Sequence, residues 1–375
     1  MDRCPIARWK EQQPNSLAIR SKHFSLTYAE LDQLIKELTP VSFIPTTPQP
    51  TPEQIALFFA AWRHGKPVYP LSFRLPESEK KKRYAITQLE GDLLLDTSGT
   101  TGDPKIVCHS LESLFLGAKE ASQALSLTPD DRYCLNLPLS HISGIAIALR
   151  TFLTGATLLL PDLLFEATHL SLVPTQLYRF LKANQLPSAR CLLIGGAPLP
   201  PHLFQEGLYL TYGMTETGAM ATLNPNAREL HAGKPLPHIE LKLSPEGEIL
   251  LRGESLFQNY LGQEKRKPGD WFPTNDLGKL TPDGNLEVLG RKDRQFISGG
   301  ENIQPEVIEK ALLSIPNILE AKVSPAPHPE FGMTPIAHIQ ATAPLSLETI
   351  HAQLADLLPR YQIPKKITLE TNNWI

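Results

Sequence analysis

Short apolar runs alternate with helical patterns in the first half of this chain. Four runs have the length of buried strands, and the segments between them space their apolar residues as helices do. The runs are Asp92–Asp96, Tyr133–Leu137, Thr157–Leu160 and Arg190–Ile194, and the helical segments are 110–126, 143–153 and 174–184. Strands that alternate with helices are typical of layered α/β folds. The sequence therefore predicts an α/β layer in this region.

The pattern changes beyond residue 230 to short alternating strands separated by glycine turns. The clearest of these strands are Glu240–Leu243, Glu248–Arg252 and Leu286–Leu289. A charged cluster follows at 290–294, and Pro305 suits the first turn of a helix that continues to about Ile315. We expect this helix to pack on a small sheet formed by residues 319–324 and 335–340.

These patterns predict a mixed α/β and α+β protein. Its large N-terminal domain, residues 1–291, would combine α/β layers with a β-rich subdomain, and a small C-terminal α+β lid domain would occupy residues 292–375. Residues 40–52 contain five prolines, which predicts a connector, and a helix is expected from Glu53 to about Arg63.

Composition excludes several classes of function. The net charge of −3 provides no general attraction to nucleic acid. No apolar run approaches the roughly 20 residues of a membrane helix, and the N-terminus lacks the apolar core of a signal peptide, so we expect a cytoplasmic protein without an integral membrane segment. The four cysteines are widely spaced, which argues against zinc and against a disulfide framework.

Residues 97–105 read Thr-Ser-Gly-Thr-Thr-Gly-Asp-Pro-Lys. Small residues allow the backbone to approach phosphates closely, N–H groups and hydroxyls donate to phosphate oxygens, and Lys105 adds a mobile positive charge. The order of a Walker A loop is absent. The segment therefore predicts a phosphate-binding loop of another kind.

This nonapeptide resembles the signature of the adenylate-forming superfamily, which contains acyl-CoA synthetases, luciferases and peptide-synthetase adenylation domains. Further segments that resemble the superfamily follow in its order: Pro138–Gly144, Tyr212-Gly213-Met214-Thr215-Glu216, Trp271–Asp276 and Gly290–Arg294. The resemblance covers nearly the whole chain and implies ATP, Mg²⁺ and CoA as cofactor and co-substrates.

The resemblance also implies residue roles. Catalytic residues would be Lys105, His141, Thr215 and Glu216, with Glu216 as the Mg²⁺ ligand and Tyr212 stacked on adenine. ATP would be bound by Thr97, Ser98, Gly99, Thr100, Thr101, Gly102, Lys105, Tyr212, Gly213, Thr215, Asp276 and Arg291, with Asp276 and Arg291 at the ribose. The acyl substrate would meet His141, Gly195, Gly196 and Thr215. Asp293 would be the hinge, and Gly299 and Gly300 would face CoA.

Two stretches of sequence limit the choice of carboxylic acid substrate. Ser298–Glu306 and Ser171–Leu177 resemble the o-succinylbenzoate–CoA ligases of menaquinone biosynthesis, which implies an aromatic carboxylic acid, ATP and CoA as partners and a homodimer as a possible assembly. Another acyl- or aryl-CoA synthetase and an adenylation protein that loads a carrier protein are the alternatives. A cationic or hydroxyl group, not identified from the sequence, would fix the carboxylates of the acid.

The superfamily places a second catalytic lysine in a Gly-Lys segment 15–20 residues beyond a Pro-Arg-Tyr-x-Ile-Pro-Lys stretch. Leu358–Lys365 matches that stretch, but no Gly-Lys follows before Ile375. The phosphate loop also begins earlier than in most relatives. The sequence is thus expected to be either a fragment or a shortened protein, and a half-active acyl-adenylate-binding protein is a further alternative.

Overall fold

The computed structural model describes residues 4–97, 105–267 and 269–371. The helices in these ranges are Pro5–Gln12, Tyr28–Glu37, Pro52–Arg63, Glu77–Tyr84, Leu111–Ala124, Ile142–Thr154, Pro174–Lys182, Pro305–Leu313 and Leu347–Leu357. Short 3-10 turns lie at Pro161–Glu166, Pro201–Leu203, Thr215–Thr217, Lys292–Arg294 and Arg360–Gln362. The five helices predicted from periodicity are all confirmed, with bounds that differ by a few residues.

Local chemistry explains where several helices begin and end. The Ser110 hydroxyl accepts a hydrogen bond from the Ser113 amide at 3.1 Å, which caps the helix Leu111–Ala124. Pro174 occupies a first-turn position, where its missing N–H costs nothing. Gly155 ends the helix Ile142–Thr154 with a φ of +85°, a conformation that favours glycine.

A seven-stranded sheet forms the centre of the N-terminal part. In spatial order its strands are Tyr209–Leu210, Cys191–Ile194, His169–Leu172, Arg132–Cys134, Thr157–Leu159, Leu17–Arg20 and Ser25–Thr27. All neighbouring pairs are parallel except the last. The predicted strands at 133–137, 157–160 and 190–194 are confirmed here. The strand His169–Leu172 was not predicted, because polar side chains interrupt its apolar run.

The strand predicted at 92–96 exists but does not join this central sheet. Leu93–Asp96 pairs antiparallel with Ile106–His109, which pairs antiparallel with Asn259–Tyr260. Only residues 97–105 connect the first two strands, and a parallel crossover needs a dozen or more residues. The placement of this strand in the α/β layer was therefore wrong, and the two strands that flank the predicted phosphate loop are antiparallel neighbours.

The proline-rich connector also contains a strand. Phe43–Pro45 pairs in parallel with Tyr69–Leu71. The Tyr69 amide donates to Ser42, and the Thr46 amide donates to Leu71, so no hydrogen bond of the ladder depends on the N–H that Pro45 lacks. The predicted connector at 40–52 thus joins the helices Tyr28–Glu37 and Pro52–Arg63 and includes a three-residue strand that the sequence did not indicate.

The predicted β-rich region is a four-stranded antiparallel sheet. Its strands, in order, are Ile239–Leu243, Glu248–Gly253, Phe272–Leu280 and Leu286–Arg291, and the pair Thr222–Leu223 and Lys234–Pro235 lies beside it in sequence. The register places Asp276 opposite Arg291. Two of the residues predicted to contact ribose are thereby cross-strand neighbours.

The C-terminal part has a core of its own, formed by residues that include Ile308, Leu312, Val323 and Ile339. Its sheet joins Ile318–His328, Gly332–Ala341 and Lys366–Thr371, and a separate hairpin joins Phe296–Ser298 to Glu301–Ile303. The 3-10 turn Lys292–Arg294 lies at the predicted boundary, and the boundary itself stays a prediction. Within the described ranges, no helix is long and apolar enough to cross a membrane.

Candidate active site

The carboxyl edge of the central sheet brings together segments that are far apart in sequence. Gly195 follows the strand Cys191–Ile194, and Tyr212 follows the strand Tyr209–Leu210. His141 lies after the strand Arg132–Cys134, as the N-cap of the next helix. Because parallel strands place their carboxyl ends at one edge, this edge is where open α/β sheets bind ligands.

A carboxylate ties this edge to the four-stranded sheet. The Tyr212 hydroxyl donates to Asp276 at 2.6 Å, and Arg291 donates to the other Asp276 oxygen at 3.3 Å. Burial raises the pKa of Asp276, while the Tyr212 hydroxyl and the Arg291 charge oppose that shift. Arg291 also reaches Asp293 at 3.2 Å. Four predicted residues thus form one connected group.

The turn after Tyr212 allows no side chain at Gly213. A Cβ atom at this position would lie 1.6 Å from the Ala219 carbonyl oxygen, which is a backbone atom. The Met214 amide donates to the Thr217 hydroxyl at 3.0 Å and closes the turn. The close approach explains the glycine between Tyr212 and the Thr215–Glu216 pair.

Glu216 is buried, and its Oε1 atom accepts a hydrogen bond from the Tyr260 hydroxyl at 2.9 Å. Burial raises the pKa of Glu216. The Lys105 ammonium group lies 4.8 Å from the centre of the same Tyr260 ring. Lys105 and Glu216 therefore contact the same aromatic side chain, one through its ring and the other through its hydroxyl.

The described ends of the predicted phosphate loop meet. The Thr97 amide and hydroxyl both donate to the Lys105 carbonyl, at 2.9 and 3.1 Å. The loop is thus closed at its base by the hairpin. The other residues predicted to bind phosphate lie outside the described residues: Ser98, Gly99, Thr100, Thr101 and Gly102.

The residues predicted to border the acid lie at the same edge. The Gly195 amide donates to the Leu172 carbonyl at 3.2 Å, and a Cβ atom on Gly195 would come within 2.8 Å of the Thr211 methyl group. Gly196 has a φ of +80°. The His141 side chain is exposed. The close approach of Thr211 explains the glycine at position 195, and the positive φ explains the glycine at position 196.

The predicted CoA-facing glycines form a two-residue hairpin turn. Gly299 and Gly300 have φ values of +58° and +90° and join the strands Phe296–Ser298 and Glu301–Ile303. The Gly299 amide donates to the Phe331 carbonyl at 3.0 Å. The contacts of this turn are made within the C-terminal part, so its arrival at the nucleotide group stays a prediction.

Sequence reasoning missed three side chains that the fold brings into contact with buried groups: the half-buried Tyr260 and the buried His109 and Arg150. Tyr260 contacts Glu216, His109 contacts the Thr215 carbonyl, and Arg150 lies inside the core beside Tyr133. None of the three stands in a motif of fixed spacing. Burial of a cation and of an imidazole is the signal that distinguishes them, and only the fold reveals it.

Comparison with known proteins identifies the family to which this chain belongs. The profile of the AMP-binding enzyme family matches residues 93–261. A 2-succinylbenzoate–CoA ligase of Escherichia coli strain K12 is 32% identical over 336 residues, which cover 83% of this chain and 73% of that protein. The chain therefore belongs to the family of AMP-binding enzymes that contains the 2-succinylbenzoate–CoA ligases.

Two comparisons with Bacillus subtilis proteins agree. A 2-succinylbenzoate–CoA ligase of strain 168 is 35% identical over 309 residues, which cover 73% of this chain and 64% of that protein. The solved structure of an o-succinylbenzoate CoA synthetase in complex with the acyl-adenylate intermediate OSB-AMP aligns with a TM-score of 0.86 at 26% identity. That alignment covers 98% of this chain and 94% of the solved one. The chain spans about 64% of the length of the first of these relatives.

The Gly213 turn yields a test of the nucleotide group. Gly213→Ala is expected to weaken AMP binding at least tenfold, because the Ala219 backbone must move away from the new methyl group and displaces Thr215. Gly207→Ala is the control: its φ of +88° makes an alanine there unfavourable through the backbone alone, but a Cβ atom meets nothing within 4 Å. Calorimetric titration with AMP checks both variants, and equal affinities for the two would contradict this reading.

Proposed function

We propose that this chain converts o-succinylbenzoate to its CoA thioester through an acyl-adenylate, with ATP as the activating substrate and Mg²⁺ as the cofactor. The observation that carries the proposal is the connected group Tyr212–Asp276–Arg291 beside Glu216, in a chain of this family. The resemblance of residues 171–177 and 298–306 to o-succinylbenzoate–CoA ligases supports the choice of acid.

The nucleotide roles follow from the contacts. The Tyr212 ring provides a surface for adenine, and the buried Asp276 carboxylate can accept hydrogen bonds from the ribose hydroxyls while Arg291 holds it in place. Lys105 and Thr97, at the base of the hairpin loop, stand where the phosphates of ATP would lie, and Thr215 would contact the α-phosphate. Positive charge and N–H donors there neutralise the phosphates.

The Glu216 carboxylate suits Mg²⁺. A hard cation prefers oxygen ligands, and Mg²⁺ is commonly held by one or two carboxylates together with substrate phosphates and water. In the ranges that the structure describes, no cluster of three or more histidine, cysteine or acidic side chains could form an all-protein metal site. A single buried carboxylate whose pKa is raised by burial fits a metal that arrives with the nucleotide. Bound there, Mg²⁺ would neutralise charge on the phosphates.

Arg150 supports an acid with a second carboxylate. Its side chain is 3% exposed, and its Nε atom has no hydrogen-bond partner among the described residues. Its Nη1 atom donates to the Tyr133 hydroxyl at a long distance of 3.5 Å. A buried charge without a counter-ion is costly. o-Succinylbenzoate has two carboxylates, so one can react while the other pairs with Arg150.

The polar surroundings of Arg150 point the same way. The Asn136 Oδ1 and Ser140 Oγ atoms are buried without a hydrogen-bond partner in the described part of the chain. Both precede His141, at the carboxyl edge of the central sheet. The Tyr133 hydroxyl lies 2.8 Å from the Ser171 hydroxyl. Ser171 belongs to the strand His169–Leu172 and begins the segment 171–177 that resembles o-succinylbenzoate–CoA ligases. Unsatisfied polar groups in one region are typical of a site that a polar ligand completes.

The reaction proceeds in two steps. A carboxylate oxygen of the acid attacks the α-phosphorus of ATP and pyrophosphate leaves, which gives a mixed anhydride with AMP as a good leaving group. The CoA thiol then loses its proton as its sulfur attacks the acyl carbon, and AMP leaves. The residues of the chain position the reactants and neutralise charge. Rotation about Asp293 would bring Gly299 and Gly300 to the site for the second step. ATP and CoA as substrates imply a cytoplasmic reaction.

The choice of acid is tested by CoA-dependent AMP release with a panel of acids. We expect kcat/KM for o-succinylbenzoate to exceed the values for benzoate and fatty acids by roughly 100-fold or more, because the second carboxylate adds a charged pair in a buried site. Benzoate keeps the aromatic ring but lacks the succinyl arm and its carboxylate. A fatty acid lacks both the ring and the second carboxylate. A preference for another acid would contradict the substrate, and formation of ADP instead of AMP would contradict the reaction.

Arg150→Leu tests the second carboxylate directly. The change is expected to raise the KM for o-succinylbenzoate by roughly 100-fold and to leave the KM for ATP unchanged, because an apolar side chain removes the charge without leaving a buried group unpaired. Arg132→Leu is the control, since the Arg132 Nε atom donates to the Glu166 carbonyl in an exposed position. An unchanged KM for the acid in Arg150→Leu would exclude this role.

A further inference from the structure

His109 is wholly buried at the end of the strand Ile106–His109, four residues after Lys105. Its Nε2 atom lies 2.7 Å from the Thr215 carbonyl oxygen. A carbonyl oxygen can only accept, so Nε2 carries the proton. Burial lowers the pKa of His109 to about 4, and the imidazole is therefore neutral near pH 7. Its Nδ1 atom has no partner in the described ranges.

The strand Ile106–His109 is also connected to Glu216 indirectly, through Tyr260 on the neighbouring strand. Val107 is the cross-strand partner of Tyr260, whose hydroxyl donates to the Glu216 side chain at 2.9 Å. Lys105 lies over the Tyr260 ring. Lys105 therefore contacts Tyr260, which contacts Glu216. Thr215, the neighbour of Glu216, contacts His109. These contacts begin and end on the same short segment, from Lys105 to His109.

Both carbonyl groups of the Thr215–Glu216 pair are fixed. His109 donates to the Thr215 carbonyl, and the Phe257 amide donates to the Glu216 carbonyl at 2.9 Å. Only the bond from His109 originates in the strand that begins beside Lys105. Without that donor the Thr215 carbonyl would keep the bond from the Gly218 amide of its own turn. The turn would then be held to the strand Ile106–His109 through Phe257 and Tyr260, but no longer directly.

We propose that His109 is a positioning residue that sets the separation between Lys105 and the Thr215–Glu216 turn, so that one Mg²⁺-bound triphosphate can meet both. This inference rests on the proposed function, in which Lys105 contacts phosphate and Glu216 holds the metal. A shift of about 1 Å in such a pair can cost roughly 100-fold in rate. His109 acts through these residues and does not itself touch the nucleotide.

His169 provides a matched control for a purely structural role. It is also wholly buried, and its Nε2 atom lies 3.1 Å from the Leu125 carbonyl oxygen. Leu125 is the C-cap residue of the helix Leu111–Ala124, and its amide donates to the Ala121 carbonyl within that helix. If a buried histidine that holds a carbonyl matters only for stability, changes at the two positions should have the same effect.

The test is calorimetric titration of the full chain with Mg·ATP and with ATP in EDTA. His109→Met fills the buried space but cannot donate, and we expect it to weaken Mg·ATP binding at least tenfold and metal-free ATP binding much less. His109→Gln places an amide near the Nε2 position and should restore Mg·ATP affinity to within about threefold of the original. His169→Met should leave both affinities within about threefold.

His109→Asn carries the comparison if His109→Met does not fold, since its shorter amide cannot reach Thr215. Equal Mg·ATP affinity in the original chain and in a donor-less His109 variant overturns the proposal, and so does an equal loss in His169→Met. The readout does not depend on the acid. If the chain does not turn over o-succinylbenzoate, the proposed function is wrong. The Mg·ATP affinities of the His109 variants can still be measured and compared in that case.

Discussion

The rest of the site depends on the hydrogen bonds that Tyr212 and Arg291 donate to the Asp276 carboxylate. It lies in a buried position where an unpaired charge would be costly, and Tyr212 and Arg291 supply the two donors that keep it there. Tyr212 belongs to the segment after the central sheet, whereas Arg291 ends the four-stranded sheet. One carboxylate therefore joins the α/β layer, the β-rich part and the segment that leads to the C-terminal part.

The same segment continues into the C-terminal part through charged pairs. Arg291 reaches Asp293, Lys292 pairs with Glu248 at 2.6 Å, and Arg294 pairs with Glu306 and Glu309. If Asp293 is the hinge, the contacts that a rotation would rearrange are those of Arg291 with Asp293 and Glu306. The Lys292–Glu248 pair and the Arg294 pairs each lie on one side of it, and partly exposed pairs of this kind contribute little stability.

Sequence reasoning found what has a local signature. Helices with periodic apolar faces, the strands of the parallel sheet and the residues of short motifs need no tertiary information. Tyr260, His109 and Arg150 have no such signature, because their importance comes from contacts with groups that lie far away in sequence: His109 and Thr215 are 106 residues apart. The hairpin around residues 97–105 was misplaced because an apolar run does not reveal which sheet a strand joins.

The central claim is that these groups form a site for acyl adenylation. The most direct measurement is a single turnover without CoA, in which enzyme, Mg·ATP and o-succinylbenzoate are mixed and the products are identified by mass spectrometry. We expect an enzyme-bound acyl-adenylate and one pyrophosphate for each molecule of acid consumed. Release of ADP and phosphate, or ATP that stays intact while the chain binds both substrates, would contradict it.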